Sequence, residues 1–344
     1  MTEFITNDPP RSVVITGCGW VTPFAIGGIY EVIDALHSRS SAAAPKGTVP
    51  FHAVPDSFLD TFPSIPKELR QDRGAWMTAA ACETALAQAA LDRSTLDPTR
   101  IGLVLGCALA GQLGMVRFAC DVREQSPRFV TPINFPQTVG NFIAGAMARG
   151  YDLRGPNSTL AGGSASGLDA VIEACSLLSS GQADVMLAGG TEELNASLAE
   201  ALSKSSVVGR TADALPLSEG ACWFVLERAD FAKQRGARPM ASANSWHQSE
   251  DDVSAQPAST GSIVSIAGFS SSGAIRVERW TGRCLAAVGP AAIAAAIAAM
   301  NGQPVPLDGG RIHQFSLTGK PPASRIIARG EHTHDSMFEL LMGS

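Results

Sequence analysis

Charge is scarce in this sequence: 17% of its 344 residues are Asp, Glu, Lys or Arg, and no block of basic residues occurs. The formal net charge is −6. That balance argues against nucleic acid as a ligand, since contact with a phosphate backbone needs a clustered cationic footprint. Long apolar runs are missing as well. No stretch of about 18 residues passes without a polar residue or proline, so no membrane span is expected, and the polar, proline-bearing residues 1–11 do not read as a secretory leader. The seven cysteines, Cys18, Cys82, Cys107, Cys120, Cys175, Cys222 and Cys284, show no C-x-x-C spacing. They are expected to be free buried thiols in a reducing cytoplasm, without zinc. Histidine is also sparse. His332 and His334 alternate without a third ligand and read as solvent-exposed, while His313 reads as structural. No metal and no cofactor is expected.

What is present is apolar mass. Hydrophobic side chains make up 45% of the chain, enough for a sizeable core in one large domain or two smaller ones. Residues 12–18 are a β-branched run that reaches Gly17 and Gly19, which predicts a buried strand entering a tight turn. A helix is predicted over about 28–37. Residues 39–73, rich in Pro, Ala and Ser and without a period, are expected to run over the surface. An alanine-rich helix over 75–91 and an apolar strand over 101–107 follow. After a mixed stretch at 110–123, a Pro/Asn-bearing link at 131–136 leads into a helix at about 138–148. The middle is the most regular part: strand 157–161, a turn at Gly162 and Gly163, helix 165–179, strand 184–188. Such a strand–helix–strand unit belongs to a parallel sheet covered by helices. Further strands are predicted at 221–227 and 263–269, and a helix at 286–300. Segments 312–317 and 324–328 are read as a closing hairpin or adjacent pair, and 248–262 as a polar loop.

Any chemistry belongs at the turn Gly162-Gly163-Ser164-Ala165-Ser166-Gly167, where a strand hands over to a helix whose unpaired amides favour negative charge. Ser164 there needs a positioned base to become a nucleophile. The plain alternative is a Gly/Ser turn required only for packing. A hydrolase elbow requires G-x-S-x-G, and Gly162, Ser164 and Ser166 miss its last glycine. A phosphate loop would need G-K-[ST], which is absent, and Gly17-Cys18-Gly19 lacks the third glycine of a dinucleotide fingerprint.

A longer pattern fits better. The stretch Gly155-Pro156-Asn157-Ser158-Thr159 through Ala165-Ser166-Gly167-Leu168-Asp169-Ala170 resembles the ketosynthase nucleophile segment, G-P-x-x-T-x-x-T-A-C-A-S-G-L-D-A. Val13-Val14-Ile15-Thr16-Gly17 with Val21-Thr22-Pro23 is similar to that family's opening. The run from Ala183 to Glu192 is similar to A-D-V-M-L-A-G-G-x-E, and Ser218-Glu219-Gly220-Ala221 with Val225-Leu226-Glu227 to G-E-G-A-x-x-x-V-L-E. Together these cover roughly residues 12–240 in order. The resemblance implies a thiolase-like, layered αβαβα α/β fold, built of two related halves and dimeric. It divides the chain into residues 1–240, a ketosynthase-like half with the start of the second, and residues 241–344, a shortened C-terminal half.

The departures set the functional expectation. Ser164 stands where the family has its nucleophilic cysteine. Of the two histidine motifs, H-G-T-G-T has no counterpart, and Gly282-Arg283-Cys284-Leu285-Ala286-Ala287 aligns with G-H-x-x-G-A-A, placing Arg283 at the histidine. Arginine stays protonated and serves as no base. The resemblance therefore implies a chain-length factor, the non-catalytic partner of a cognate ketosynthase, working on chains carried by an acyl carrier protein. The short segment between Arg238 and Gly282 is similar to the factors of highly reducing, polyene-forming type II systems. An active acyltransferase or decarboxylase using Ser164, and a serine hydrolase on another fold, are the alternatives. The family's chain-length gate maps to Gln112, Met115 and Ala119, spaced i, i+3 and i+7 on one helical face, with Pro132, Ile133, Asn134 and Phe135 as the dimer and tunnel neighbourhood. Against this stands the reading of Met115 and Ala119 as core residues.

Overall fold

The computed structural model describes residues 12–37, 51–109, 111–125, 127–130, 132–204, 215–249, 261–266, 277–301, 303, 305–306, 312–313, 323–329 and 335–342. In chain order the strands are β1 (Val13–Val21), β2 (Ile26–Gly27), β3 (Phe51–His52), β4 (Ile101–Gly106), β5 (Asn157–Leu160), β6 (Val185–Glu192), β7 (Leu217–Ser218), β8 (Gly220–Arg228), β9 (Ala241–Ser249), β10 (Gly261–Ile266), β11 (Val305–Pro306), β12 (Ile312–His313), β13 (Ala323–Arg329) and β14 (Asp335–Met342). The helices are α1 (Ile29–His37), α2 (Asp56–Leu59), α3 (Arg73–Gln88), α4 (Gln112–Gln125), α5 (Phe142–Tyr151), α6 (Ser166–Ser179), α7 (Ala196–Lys204), α8 (Ala229–Gln234), α9 (Glu278–Thr281) and α10 (Val288–Met300).

The main sheet runs β10-β13-β14-β9-β1-β8-β6-β4-β5, and its order is nearly a palindrome about the β1–β9 junction. On one side β1 and β6 both lie antiparallel to β8, and β4 lies parallel to β6. On the other side β9 and β13 both lie antiparallel to β14, and β10 lies parallel to β13. The strand order is thus repeated in two halves, and only β5 has no counterpart among the described residues. β1, β4, β6 and β8 are buried from end to end apart from the last residue of β8, as strands covered on both faces must be.

Helices α6 and α10 pack against each other and touch strands of both half-sheets. They form the central layer. Every residue of α10 is buried and apolar, the composition of a helix enclosed on all sides. Helices α3 and α5 cover the other face of the N-terminal half-sheet, where Met77, Leu86, Ile143 and Met147 pack on Leu103, Leu105, Leu187 and Trp223. The layers α3/α5, half-sheet, α6/α10, half-sheet follow the thiolase-like architecture. No helix among the described residues covers the outer face of the second half-sheet.

Several sequence expectations need correction. Of the 39–73 stretch, 39–50 lie outside the described residues, and 51–73 run over the surface but are pinned to it: Val54, Leu59, Ile65 and Leu69 are buried, and the Arg70 guanidinium binds the carbonyls of Phe62, Pro63 and Ile65. The 131–136 link is a 3-10 helix, Pro132–Thr138, and the helix after it begins at Phe142 rather than near 138. Strand 263–269 sits at Gly261–Ile266, and β9 extends to Ser249, so of the 248–262 loop only 250–260 remains, outside the described residues. The closing pair is also different. β12 pairs with β11, whereas β13 takes β14 as its antiparallel neighbour, because β14 is what continues the sheet to β9. His332, His334 and residues 315–319 lie outside the described residues.

One close approach holds the central layer together. Gly167, in the first turn of α6, faces the backbone carbonyl of Ala286 at the start of α10, and a Cβ there would overlap that oxygen. Gly167→Val is expected to lower stability by about 1 to 3 kcal/mol through overpacking, measured by urea denaturation against the wild-type chain.

Candidate functional site

The candidate site is where the two central helices begin. The first elbow leaves β5 at Leu160 and turns through Gly163, whose φ of +95° is open to glycine. The Gly162 N–H donates to the Ser166 Oγ at 2.7 Å, which closes the turn, and Ser166 itself is fully buried. Ser164 sits on this turn, half-buried, at the N-terminal end of α6. The second elbow precedes α10. Arg283 is half-buried there, its N–H donating to the Pro216 carbonyl at 2.8 Å and its own carbonyl accepting from Ser218 N–H at 3.1 Å. Gly282 and Leu285 flank it with positive φ of 77° and 42°, and the left-handed Leu285 is a strained conformation of the kind held only by its surroundings. The carbonyl of Ala286 approaches Gly167, so the turn before α10 meets the first turn of α6.

A buried carboxylate that carried no weight in the sequence lies beneath them. Glu192, at the end of β6 and 2% exposed, accepts from Ala108 N–H at 2.8 Å, Leu109 N–H at 2.9 Å and Ala286 N–H at 3.4 Å. The preceding Thr191 hydroxyl pairs with Thr78 at 2.7 Å and accepts from the Trp223 indole at 2.8 Å. The donors to Glu192 lie more than eighty residues away in the chain, so only the G-G-x-E pattern could have flagged it. Cys284 is no replacement nucleophile, because burial pushes its thiol up to about 12 and the thiolate is the reactive form. No histidine among the described residues lies on either elbow. His52 is on β3, one strand beyond β7 from Arg283, and its ring meets Phe24 edge-on at 5.1 Å.

Gln112, Met115 and Ala119 form one exposed face of α4. Met115 is 51% exposed and Val116 50%, so in this chain Met115 and Ala119 are not core residues. The 3-10 helix packs beside α4, with Phe118 and Phe135 in edge contact at 5.6 Å. Pro132 and Phe135 are exposed and Asn134 is half-buried, whereas the side chain of Ile133 is not among those described. Phe129 and Val139 extend this apolar surface. Among the described residues β5 is the last strand of the sheet, bonded to β4. A cavity of about 680 Å³ lies elsewhere, at the start of β4 between α3 and α5, lined by Glu83, Leu86, Arg93 and Tyr151 among others.

A second group of carboxylates surrounds the N-terminus of α3. Glu219, fully buried, receives Arg73 through both nitrogens at 2.8 and 2.7 Å and the N–H groups of Val54 and Leu194. Glu193 accepts from Gly74 N–H at 2.9 Å and Asp72 from Ala75 N–H at 2.8 Å. Burial, then the adjacent Asp72 charge, pushes Glu193 up to about 8, and burial raises Asp72 as well. A carboxyl raised on folding binds its proton more tightly in the native state. Its contribution is therefore full at low pH and is lost as pH rises from the ordinary glutamate value of 4.5 towards 8. Glu193→Gln is expected to flatten that fall of Tm with pH, recorded by thermal melts across the same window.

Comparison with known proteins agrees with this geometry. Residues 10–232 match the family model described as Beta-ketoacyl synthase, N-terminal domain. The chain is 32% identical over 261 residues to 3-oxoacyl-[acyl-carrier-protein] synthase 2 of Rhizobium meliloti, covering 66% of this chain and 62% of that protein. It is 25% identical over 265 residues to the tetracenomycin polyketide synthase ketoacyl synthase alpha subunit of Streptomyces glaucescens, covering 69% and 62%. It thus spans about three-fifths of the curated relatives' length. Among solved structures, the ishigamide ketosynthase/chain length factor superposes with a TM-score of 0.79 at 17% identity, over 98% of this chain and all of the other. A type II acyl-carrier protein complex with its ketosynthase, AntDE:AntF, gives 0.78 at 19% identity over 97% of this chain and all of the other. With the family model spanning both the Ser164 elbow and the Glu192 strand, this chain belongs to the beta-ketoacyl synthase family.

Proposed function

We propose that this chain is a chain-length factor, a ketosynthase-like subunit without condensing chemistry of its own, which pairs with a complete ketosynthase in polyketide biosynthesis. The observation that carries the reading is the pair of elbows. Ser164 occupies the position of the family's nucleophilic cysteine, and Arg283 occupies a position where the family has a histidine. A serine hydroxyl is a poor nucleophile unless a base activates it, and a guanidinium keeps its proton near neutral pH. In this reading the partner supplies cysteine and histidines, the acyl carrier protein delivers the growing chain, and this subunit closes the far end of the acyl tunnel. The polyene-forming class rests on the short segment between Arg238 and Gly282, and a cytoplasmic location on the free cysteines.

The surface built by β5, α4 and the 3-10 helix is the one the partner covers. Met115, Val116, Phe129, Phe135 and Val139 give it the apolar character of an obligate interface, and the open edge of β5 supplies backbone groups to pair. Two solved relatives suit these partners: one is a ketosynthase with its acyl carrier protein, the other a ketosynthase/chain length factor. Gln112, Met115 and Ala119 then face the tunnel across that interface.

Co-expression with the cognate ketosynthase should give a stable 1:1 complex. In that complex Ser164→Ala should change product formation by less than about tenfold, or roughly 1.4 kcal/mol of barrier. Full condensing activity of the chain alone, or an acyl group on Ser164 by mass spectrometry with loss of activity in the variant, would establish the acyltransferase alternative instead. Ala119→Trp should fill tunnel volume and shorten the polyketide without lowering the melting temperature of the complex. Unchanged product length at unchanged stability would place the gate elsewhere.

A further inference from the structure

We infer that Glu192 is a positioning residue that sets the gate-bearing helix α4 against both elbows, and through it the length at which the tunnel ends. The second half of this statement rests on the chain-length reading; the first does not. The carboxylate uses both oxygens on backbone donors: Oε1 takes Leu109 N–H at 2.9 Å, and Oε2 takes Ala108 N–H at 2.8 Å and Ala286 N–H at 3.4 Å. The first two amides belong to the link between β4 and α4, the third to the elbow of Arg283.

From that anchor the geometry passes directly into α4. Leu109, held by Glu192 through its N–H, offers its carbonyl to Gln112 N–H at 3.0 Å, which begins the helix. Gln112 is the first of the three gate positions, and Met115 and Ala119 follow in register at 1.5 Å of rise per residue. The other anchor, Ala286, is the residue whose carbonyl sits against Gly167 beside the Ser164 elbow. One carboxylate therefore spans the start of α4 and the contact between the elbows. Three N–H groups converge on it, and a carboxylate accepts on both oxygens, whereas an amide would turn a donor towards them.

The test is hydrogen exchange on the co-expressed complex carrying Glu192→Gln. Exchange at the Ala108, Leu109 and Ala286 amides and along the first turn of α4 should rise by about tenfold or more, with the amides of β1 and β8 unchanged. A rise at only one of the two segments, a rise throughout the chain, or no rise overturns the positioning role. Glu192→Asp, which keeps the buried charge and withdraws it by one carbon, is the second variant should the glutamine form fail to fold. It should raise exchange at both segments, most at Ala286, whose contact is the longest, and a rise confined to one segment counts against the role here as well. Product length is read in the same complexes. A broadened length distribution in the Glu192 variants supports the link to the gate, and an unchanged distribution alongside a shortened product from Ala119→Trp overturns that link. If neither the Glu192 variants nor Ala119→Trp moves product length, the assignment of the gate to α4 fails while the exchange result still decides the role of Glu192.

Discussion

Two backbones touching without side chains between them is the constraint on which the rest of this structure depends. Gly167 lets the carbonyl of Ala286 approach the first turn of α6, and that approach fixes α6 and α10 as one enclosed layer between two half-sheets. An all-apolar α10 has no solvent-facing side to orient it, so its position must come from its ends. The elbow before it supplies that position through the backbone pairing of Arg283 with Pro216 and Ser218, and through Glu192 below.

The same constraint accounts for how the two turns of this fold keep their shape. The elbows are held by backbone contacts, by the buried Ser166 hydroxyl and by the buried Glu192 carboxylate. The buried carboxylates follow one rule throughout the N-terminal half: Glu192 is matched by backbone amides, Glu219 by amides and Arg73, and Glu227 by Thr16 and the Arg235 guanidinium. Buried charge is tolerable only with such partners. Where partners are fewer, at Glu193 and Asp72, burial raises both carboxyls instead.

The sequence by itself determined the local elements and the family. The β-branched run of β1, the strand–turn–helix around Ser164 and the alanine-rich α10 are each encoded within a dozen or so consecutive residues, and the ordered motifs over 12–240 made the ketosynthase resemblance legible. Helix and strand periods are short-range properties, which is why these readings needed no partner in space. Only the tertiary structure decided the mirrored strand order, the pairing of β13 with β14 rather than with the segment before it, and which four residues of 51–73 (Val54, Leu59, Ile65 and Leu69) are buried. Only it could place Glu192 beneath both elbows and turn Met115 outward, because a carboxylate's donors lie some 80 to 90 residues away in the chain and exposure depends on which neighbours arrive. Those are long-range facts, set by how two half-sheets close on one helical layer, and no local pattern in the sequence carries them.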